Sequence, residues 1–357
     1  MASLAVLFLP VLFLILRAEA RPPPPLHGVR HLAFEEGYTQ IFGSSNLALH
    51  PGGKRVRLAL DQSTGQSVSA IPVSVFPSSS LLLLRTITGS SSSCTAATGS
   101  GFASQGLFLH GFFSAAIKLP AAYAAGVVVA FYLSNGDVYE KTHDELDFEF
   151  LGNVRGRDWR VQTNVYGNGS THAGREERYD LPFDPTEDFH HYSILWTHQR
   201  IIFYVDETPI REVPRTASMG AAFPSKPMSL YATIWDGSSW ATLGGRYGVD
   251  YKYAPFVAEF ADLVLHACAV DRSASASAST CDAAAASAEQ RSAMAAFRRG
   301  HMSYSYCHDR RRYAAPLNEC AAAERVPAIA RLFGPDGMRL PRRRHRGTGH
   351  RAQDDVM

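Results

Sequence analysis

Three acidic residues alternate with apolar residues in the segment 145–150, which reads E-L-D-F-E-F. Successive side chains of a β-strand point to opposite faces, so this alternation predicts a strand with Glu145, Asp147 and Glu149 on one face and three apolar side chains on the other. Like charges about 7 Å apart on one face destabilise a sheet. A row of three carboxylates therefore indicates a chemical function.

The spacing of Glu145 and Glu149 favours glycoside chemistry. Their Cα atoms are about 13 Å apart on a strand, and side chains that lean together bring the carboxyls to roughly 5 Å, the separation in retaining glycosidases. One glutamate would attack the anomeric carbon, the other would act as acid and then base, and Asp147 would hydrogen-bond the nucleophile. The near-symmetric pair does not show which is which. A solvated strand face and a metal site completed by His143 or Asp144 are the alternatives.

The surrounding elements are predicted to be mostly β-strands. β-branched and aromatic runs, each bounded by Gly, Pro, Asn or Asp, lie at 126–133, 159–166, 192–196, 201–205 and 229–235. Helical periodicity is convincing only near 283–297. We therefore expect an all-β chain, an antiparallel β-sandwich with a small disulfide-bonded C-terminal extension.

The N-terminus and the cysteines predict a secreted protein. An apolar run over 4–16 precedes Ala18-Glu19-Ala20, the pattern of a signal peptide cleaved after residue 20, and no later segment is apolar enough to span a membrane. Four cysteines lie in the last quarter of the chain, at positions Cys268, Cys281, Cys307 and Cys320. They allow three pairings, of which we favour 268–281 with 307–320; the absence of C-x-x-C makes zinc the weaker alternative.

Residues 66–98 interrupt the strand-rich region. The segment is serine-rich, carries Arg85 as its one charged residue and contains the fifth cysteine, Cys94. It is interpreted as a long surface insertion, as translated non-coding sequence or as a functional loop, and Cys94 is expected to have no native partner.

The overall charge and composition exclude a disordered chain and a simple nucleic-acid binder. The 357 residues are 46% hydrophobic and 19% charged, with a net charge of +2. The basic excess lies in the tail, 336–357, which has six arginines. We expect a disordered tail that is either simply solvated or weakly bound to polyanionic polysaccharides. We also expect a monomeric protein without metal, cofactor, nucleic-acid or membrane partners.

The acidic strand, followed by Leu151-Gly152-Asn153, resembles the active-site strand of glycoside hydrolase family 16 in the plant xyloglucan endotransglucosylase/hydrolase branch, third subgroup. The resemblance implies a concanavalin-like jelly roll over 21–266 and a C-terminal extension over 267–335 that lengthens the acceptor side of the cleft. It also implies that Glu145 is the nucleophile and Glu149 the acid/base. Donor and acceptor would be xyloglucan chains in the cell wall.

The same resemblance and the residue types predict a set of substrate contacts. They are Gln162, Asn164, Arg175, Glu176, Trp235, Trp240, Gly245 and Arg312. The amides suit sugar hydroxyls and the indoles suit pyranose rings. Internal hydrogen bonds, a surface ion pair at 175–176, core burial of Trp235 and a solvated arginine run at 310–312 are the alternatives.

Asn168-Gly169-Ser170 is a glycosylation sequon on a predicted turn, for which a bare turn is the alternative. Three functions compete. A transglycosylase that remodels xyloglucan is favoured over a xyloglucan hydrolase and over a non-catalytic glycan-binding sandwich.

Overall fold

The computed structural model describes residues 29–43, 45–62, 99–121, 123–154, 158–269, 286–320 and 330–341. The described residues leave out the predicted signal peptide, the 66–98 segment with Cys94, Cys281 and most of the basic tail, 342–357. The predictions made for them stay predictions. Within the described ranges, no helix has the length and apolar character needed to cross a membrane.

Two antiparallel sheets form the molecule, as predicted. Their strands are β1 (Tyr38–Phe42), β2 (Leu47–Leu49), β3 (Arg55–Leu60), β4 (Gly99–Ser104), β5 (Phe108–Lys118), β6 (Val127–Ser134), β7 (Glu145–Leu151), β8 (Arg160–Tyr166), β9 (Glu177–Asp180), β10 (His190–Trp196), β11 (Arg200–Val205), β12 (Thr208–Pro214), β13 (Ser229–Asp236), β14 (Phe256–Ala269), β15 (Met302–Asp309) and β16 (Asp336–Met338). The nine-stranded sheet has the order β1-β4-β13-β6-β7-β8-β9-β15-β16, and the seven-stranded sheet has the order β12-β11-β10-β5-β14-β3-β2.

The five predicted β runs are confirmed, with ends that differ by one or two residues. The described residues contain the α-helices α1 (Phe34–Gly37), which the sequence pattern did not predict, and α2 (Ala288–His301). Helix α2 begins later than predicted because Ser287 caps it. The Ser287 Oγ accepts from the Gln290 amide at 3.2 Å, and the Gln290 side chain accepts from the Ser287 amide at 2.9 Å.

The core fills the space between the sheets and fixes the register of β7. Leu146, Phe148 and Phe150 are fully buried there. Phe148 meets the ring of Phe203 on the opposite sheet at 5.2 Å between centroids, edge to face. A slip of one residue would bury three carboxylates in this core and expose its aromatics, so the apolar face holds the acidic face of β7 toward solvent.

The C-terminal extension continues the nine-stranded sheet. Its strand β15 pairs with β9, and β16 pairs with β15. β16 begins at Asp336, so the ordered extension continues past residue 335 into the segment that was expected to be a disordered tail. The predicted Cys307–Cys320 disulfide is confirmed. Cys268 belongs to β14, but its predicted partner Cys281 lies outside the described residues, so the 268–281 pairing stays a prediction. The described part of the extension contains strand β15 in addition to helix α2, in agreement with the period-2 alternation of residues 302–307.

Candidate active site

The three carboxylates of β7 occupy successive positions on one face of the nine-stranded sheet. Each has a neighbour in register on β6 and another on β8: Ser134 and Tyr166 beside Glu145, Tyr132 and Asn164 beside Asp147, and Ala130 and Gln162 beside Glu149. Glu145 and Glu149 are partly exposed, whereas Asp147 is buried. The backbone therefore presents two reachable carboxyls with a third held between them.

An open cleft of about 630 Å³ lies over this face. All three carboxylates line it, together with Gln162, Asn164, Glu176, Trp235 and Trp240 among the predicted substrate contacts. In the part of the chain that the structure describes, no group of three or more His, Cys, Asp or Glu side chains is arranged to hold a metal ion. Three carboxyls on one strand of the cleft are groups that can act as acid, base and nucleophile.

Burial raises the pKa of Glu145 and that of Glu149 to about 7, from ordinary values near 4.5. In each case one hydrogen bond opposes the effect of burial, from Ser134 at Glu145 and from Gln162 at Glu149. The charge of Glu145 also raises the pKa of Glu149. Two repelling carboxyls with such values titrate as a pair, so one is protonated while the other is charged around neutral pH.

Asp147 is the most strongly perturbed of the three carboxyls. Burial, followed by the charges of Glu145 and Glu149, raises its pKa well above the ordinary value near 3.8. Arg211 lowers the pKa without cancelling that effect. A carboxyl that stays protonated can donate a hydrogen bond to a charged neighbour, which is the role predicted for Asp147 beside the nucleophile.

Gln162 and Asn164 lie on the same face of β8, as the alternation predicted. The Gln162 Nε2 donates to Glu149 Oε2 at 2.5 Å. The Asn164 Oδ1 accepts from the backbone amide of Arg175 at 2.9 Å. Both amides are therefore fixed inside the cleft before any ligand arrives.

The two residues of the pair Arg175 and Glu176 have different surroundings. The Arg175 side chain is buried, and its Nε donates to Glu319 Oε1 at 2.5 Å, which ties the segment before β9 to the extension. Arg175 is not among the residues that line the cleft. Glu176 does line it and accepts from Arg312 Nη1 at 2.6 Å. Arg312 does not line the cleft itself, but it contacts Glu176, which does.

Two indoles form one wall of the cleft. The rings of Trp235 and Trp240 have centroids 6.0 Å apart and are tilted by 41°. Gly245 allows the backbone to pass close to this loop. It has φ of +85°, and a Cβ at this position would lie 2.3 Å from the carbonyl oxygen of Ser239. Gly245 therefore shapes the backbone of the loop. The two tryptophans are half-buried, so part of each ring surface is available for stacking.

Asn168 lies on an exposed turn, where its backbone has φ of 52° and its amide donates to Asp144 at 2.7 Å. Its exposed side chain suits a glycan acceptor. Asp144 itself is fully buried and also accepts from the amides of Ser225 and Lys226. Asp144 therefore holds the segments that carry Asn168 and Ser225 next to the start of β7.

Several residues of the cleft were missed by the sequence analysis. Tyr132 and Ser134 on β6, Tyr166 on β8 and Thr233 on β13 line it as well. Tyr166 belongs to a strand whose alternation places it on the face of Gln162 and Asn164, so that signal was present. β6 is buried at all eight positions, so its pattern does not show which residues face the cleft.

Comparison with known proteins decides the family. The model of glycosyl hydrolases family 16 matches residues 34–253, and that of the xyloglucan endo-transglycosylase (XET) C-terminus matches residues 274–320. The chain belongs to glycosyl hydrolases family 16, in its xyloglucan endotransglucosylase/hydrolase branch.

Relatives within this branch cover most of the chain. The probable xyloglucan endotransglucosylase/hydrolase protein 28 of Arabidopsis thaliana is 55% identical over 311 residues, which is 85% of this chain and 83% of the relative. The probable protein 27 of the same species is 54% identical over 330 residues, 90% of this chain and 88% of the relative. A solved laminarinase catalytic domain from Thermotoga petrophila has a TM-score of 0.47 at 19% identity, with 66% and 95% of the chains covered. Family membership therefore extends over both the sandwich and the extension.

Proposed function

We propose that this protein is a retaining transglycosylase that cleaves the β-1,4-glucan backbone of xyloglucan and transfers the cut chain to a second xyloglucan chain. The observation that carries the proposal is the row of three carboxylates at alternate positions of β7, which lines an open cleft. By strand geometry, glutamates four residues apart on one face can bring their carboxyls to the separation that a retaining mechanism needs. The substrate is inferred from relatives named as xyloglucan endotransglucosylase/hydrolases.

In the first step Glu145 attacks the anomeric carbon, and the bond from that carbon to the glycosidic oxygen breaks. Glu149 gives its proton to the departing oxygen, which leaves as a hydroxyl on the released chain end. Glu145 must be charged and Glu149 protonated for this step. Two coupled carboxyls with raised pKa values supply that combination around neutral pH.

In the second step Glu149, now charged, removes the proton from the hydroxyl of the acceptor. The acceptor oxygen attacks the anomeric carbon, and Glu145 leaves as a free carboxylate. Trp235 and Trp240 supply ring faces beside this site, and Glu176 with Arg312 supplies charged hydrogen-bonding groups from the segment next to the extension. These groups favour a bound sugar chain over water as the acceptor.

The proposal includes the location of the protein. The signal peptide is removed after residue 20, and the secreted protein acts as a monomer in the cell wall. The exposed side chain of Asn168 supports a glycan there. The basic tail beyond residue 341 would add weak binding to acidic wall polysaccharides. Most of that tail lies outside the described residues, so this part of the proposal rests on its sequence.

Full-length protein incubated with xyloglucan and a fluorescent xyloglucan oligosaccharide tests the proposal. Transfer places the label in the polymer without new reducing ends, whereas hydrolysis creates reducing ends. Glu145→Ala should lose both activities, because it removes the covalent step without touching the core. Glu207→Ala, in the exposed turn between β11 and β12, is the matched control and should behave as wild type. Label that stays in the oligosaccharide with the wild-type protein would contradict transfer.

A further inference from the structure

Glu149, Gln162 and Arg178 lie side by side on three neighbouring strands. Gln162 of β8 is in register with Glu149 of β7 on one side and with Arg178 of β9 on the other. The Arg178 Nε donates to Gln162 Oε1 at 2.7 Å, and Gln162 Nε2 donates to Glu149 Oε2 at 2.5 Å. One hydrogen-bonded chain therefore runs from the arginine to the carboxyl.

We propose that Arg178 is a positioning residue that fixes the orientation of the Gln162 amide and thereby selects which oxygen of Glu149 carries the catalytic proton. The inference rests on the proposed function, because it concerns the acid/base of that reaction. A guanidinium has only donors, so the oxygen of the Gln162 amide must face Arg178 and the nitrogen must face Glu149.

The orientation matters because an amide nitrogen donates and does not accept. Glu149 Oε2 then receives a hydrogen bond and cannot use Gln162 as an acceptor, so the proton is directed to Oε1, where it is free for the leaving oxygen. A reversed amide would place its oxygen against Glu149. That oxygen would accept the acid proton and hold it away from the substrate.

The C-terminal extension holds Arg178 in place. Its guanidinium carbon lies 4.9 Å from the centre of the Tyr304 ring on β15. Burial lowers the pKa of Arg178, opposed by Tyr304 and by the charges of Glu176 and Glu149. A planar cation held on an aromatic face keeps its Nε pointed at Gln162, so the extension contributes to the orientation of the acid/base.

The groups around Glu149 define what a change of Arg178 would do. The titratable side chains facing it are Glu145 and Asp147 on its own strand, Tyr166 on β8, Glu176 before β9 and Arg178 on β9. β6 places Ala130 opposite Glu149. The positive charge of Arg178 lowers the pKa of Glu149. Its loss therefore raises that pKa and moves the basic limb of the pH profile upward.

A double-mutant cycle with Gln162 tests the proposal. Arg178→Gln can present either a donor or an acceptor and should lower kcat on polymeric xyloglucan about tenfold, the value of one lost hydrogen bond. The loss should be less than about threefold on an aryl glycoside with a good leaving group, which needs no acid. In the Gln162→Ala background, the same change should cost less than about twofold on the polymer. The basic limb of kcat/KM should move to higher pH in Arg178→Gln.

Two further variants separate orientation from charge and from folding. Arg178→Lys is still a donor without acceptors and should stay within about threefold of wild type. Arg178→Met should behave like Arg178→Gln, which keeps the test available if the latter does not fold. Arg160→Gln on β8 removes a nearby charge without touching Gln162 and is the matched control for the pH profile.

The result that overturns the inference is a loss of equal size with and without Gln162, or a change in KM with an unmoved basic limb. An Arg178→Lys variant as impaired as Arg178→Gln also overturns it. Wild-type protein that neither transfers nor hydrolyses xyloglucan would contradict the proposed function instead. The two failures are therefore distinguishable.

Discussion

Arg298 of helix α2 and Glu177 of β9 form a two-pronged ion pair between the extension and the sandwich. The Arg298 Nη1 lies 2.6 Å from Glu177 Oε2, and Nη2 lies 2.8 Å from Oε1. The Glu177 side chain is only 6% exposed. Arg211 approaches the same carboxylate at 3.6 Å. Glu177 is one residue away from Arg178, so the pair anchors the extension beside the strand that carries Arg178.

Loss of this pair should destabilise the protein strongly. Burial would raise the pKa of Glu177, but Arg298 and Arg211 outweigh it and hold the pKa at about 2. Removal of one partner from a buried pair leaves an uncompensated charge and typically costs about 3–5 kcal/mol. We therefore expect Arg298→Ala to lower the free energy of unfolding by about 3 kcal/mol or more, measured by denaturant titration at pH 6.

Arg299→Ala is the matched control for that measurement, since Arg299 follows Arg298 on the same helix with an exposed side chain. The wild-type protein should also lose the stability contributed by Glu177 as the pH falls from 4.5 toward 2, because the folded-state pKa lies below the ordinary value. Equal unfolding midpoints for Arg298→Ala and Arg299→Ala would show that the ion pair does not hold the extension.

The two glutamates of the cleft, Glu145 and Glu149, should affect stability with the opposite sign. Their folded-state pKa values, about 7, lie above the ordinary 4.5, so the destabilisation is absent below pH 4.5 and complete above pH 7. Glu145→Gln removes one of these charges. We expect it to stabilise the protein by at most about 3 kcal/mol at pH 8 and by little at pH 4.

Denaturant unfolding at the two pH values checks this expectation. Glu207→Gln changes the same atoms in an exposed turn and should have no effect at either pH. A gain of equal size at pH 4 and pH 8 would mean that the stabilisation comes from packing and not from the removal of a buried charge.

Replacement of the acid/base should affect substrates according to their leaving groups. Glu149→Gln can still accept the hydrogen bond from Gln162 but has no proton for the leaving oxygen. We expect a loss of about 100-fold or more on xyloglucan and a small effect on formation of the covalent intermediate from an aryl glycoside with an acidic phenol, measured by release of that phenol in a rapid-mixing assay. Equal losses on both substrates would assign Glu149 a role other than the acid.

Local alternation was sufficient to predict the strand of the site and which of its side chains face the cleft. The pattern at 145–150 identified β7, its buried aromatics and its three cleft carboxylates, because period 2 needs no knowledge of distant residues. The disulfide 307–320 was predictable for a similar reason, since it closes a short loop.

Contacts between distant segments were not predictable in the same way. Glu177 and Arg298 are far apart in sequence, and neither position stands out from its neighbours. Arg175 and Arg178 are both plausible cleft residues by composition. Only the fold shows that Arg175 turns toward Glu319 of the extension, whereas Arg178 meets Gln162. Which arginine reaches Gln162 depends on where β9 begins. The sequence of this short polar strand does not show its first residue.

Deletion of residues 66–98 should preserve folding and activity, because the elements that flank the segment already touch. β3 ends at Leu60 and β4 begins at Gly99. The Ser100 hydroxyl donates to the carbonyl of Ala59 at 3.0 Å, so the ends of the two strands lie side by side. The deletion leaves residues 61–65 as the connection, which can reach roughly 16 Å when extended and is therefore long enough.

Shortening that connection should raise the free energy of unfolding by at most about 2 kcal/mol through loop-closure entropy. Secretion yield, thermal midpoint and transfer rate of the deletion variant measure the outcome. Cys94→Ser is the control, since it removes the thiol that is predicted to have no partner and keeps the segment. If Cys94→Ser folds and the deletion variant does not, the segment is an integral part of the sandwich. Equal gains in the two variants would instead assign the improvement to loss of the thiol, since both lack Cys94 and only one has the shorter connection.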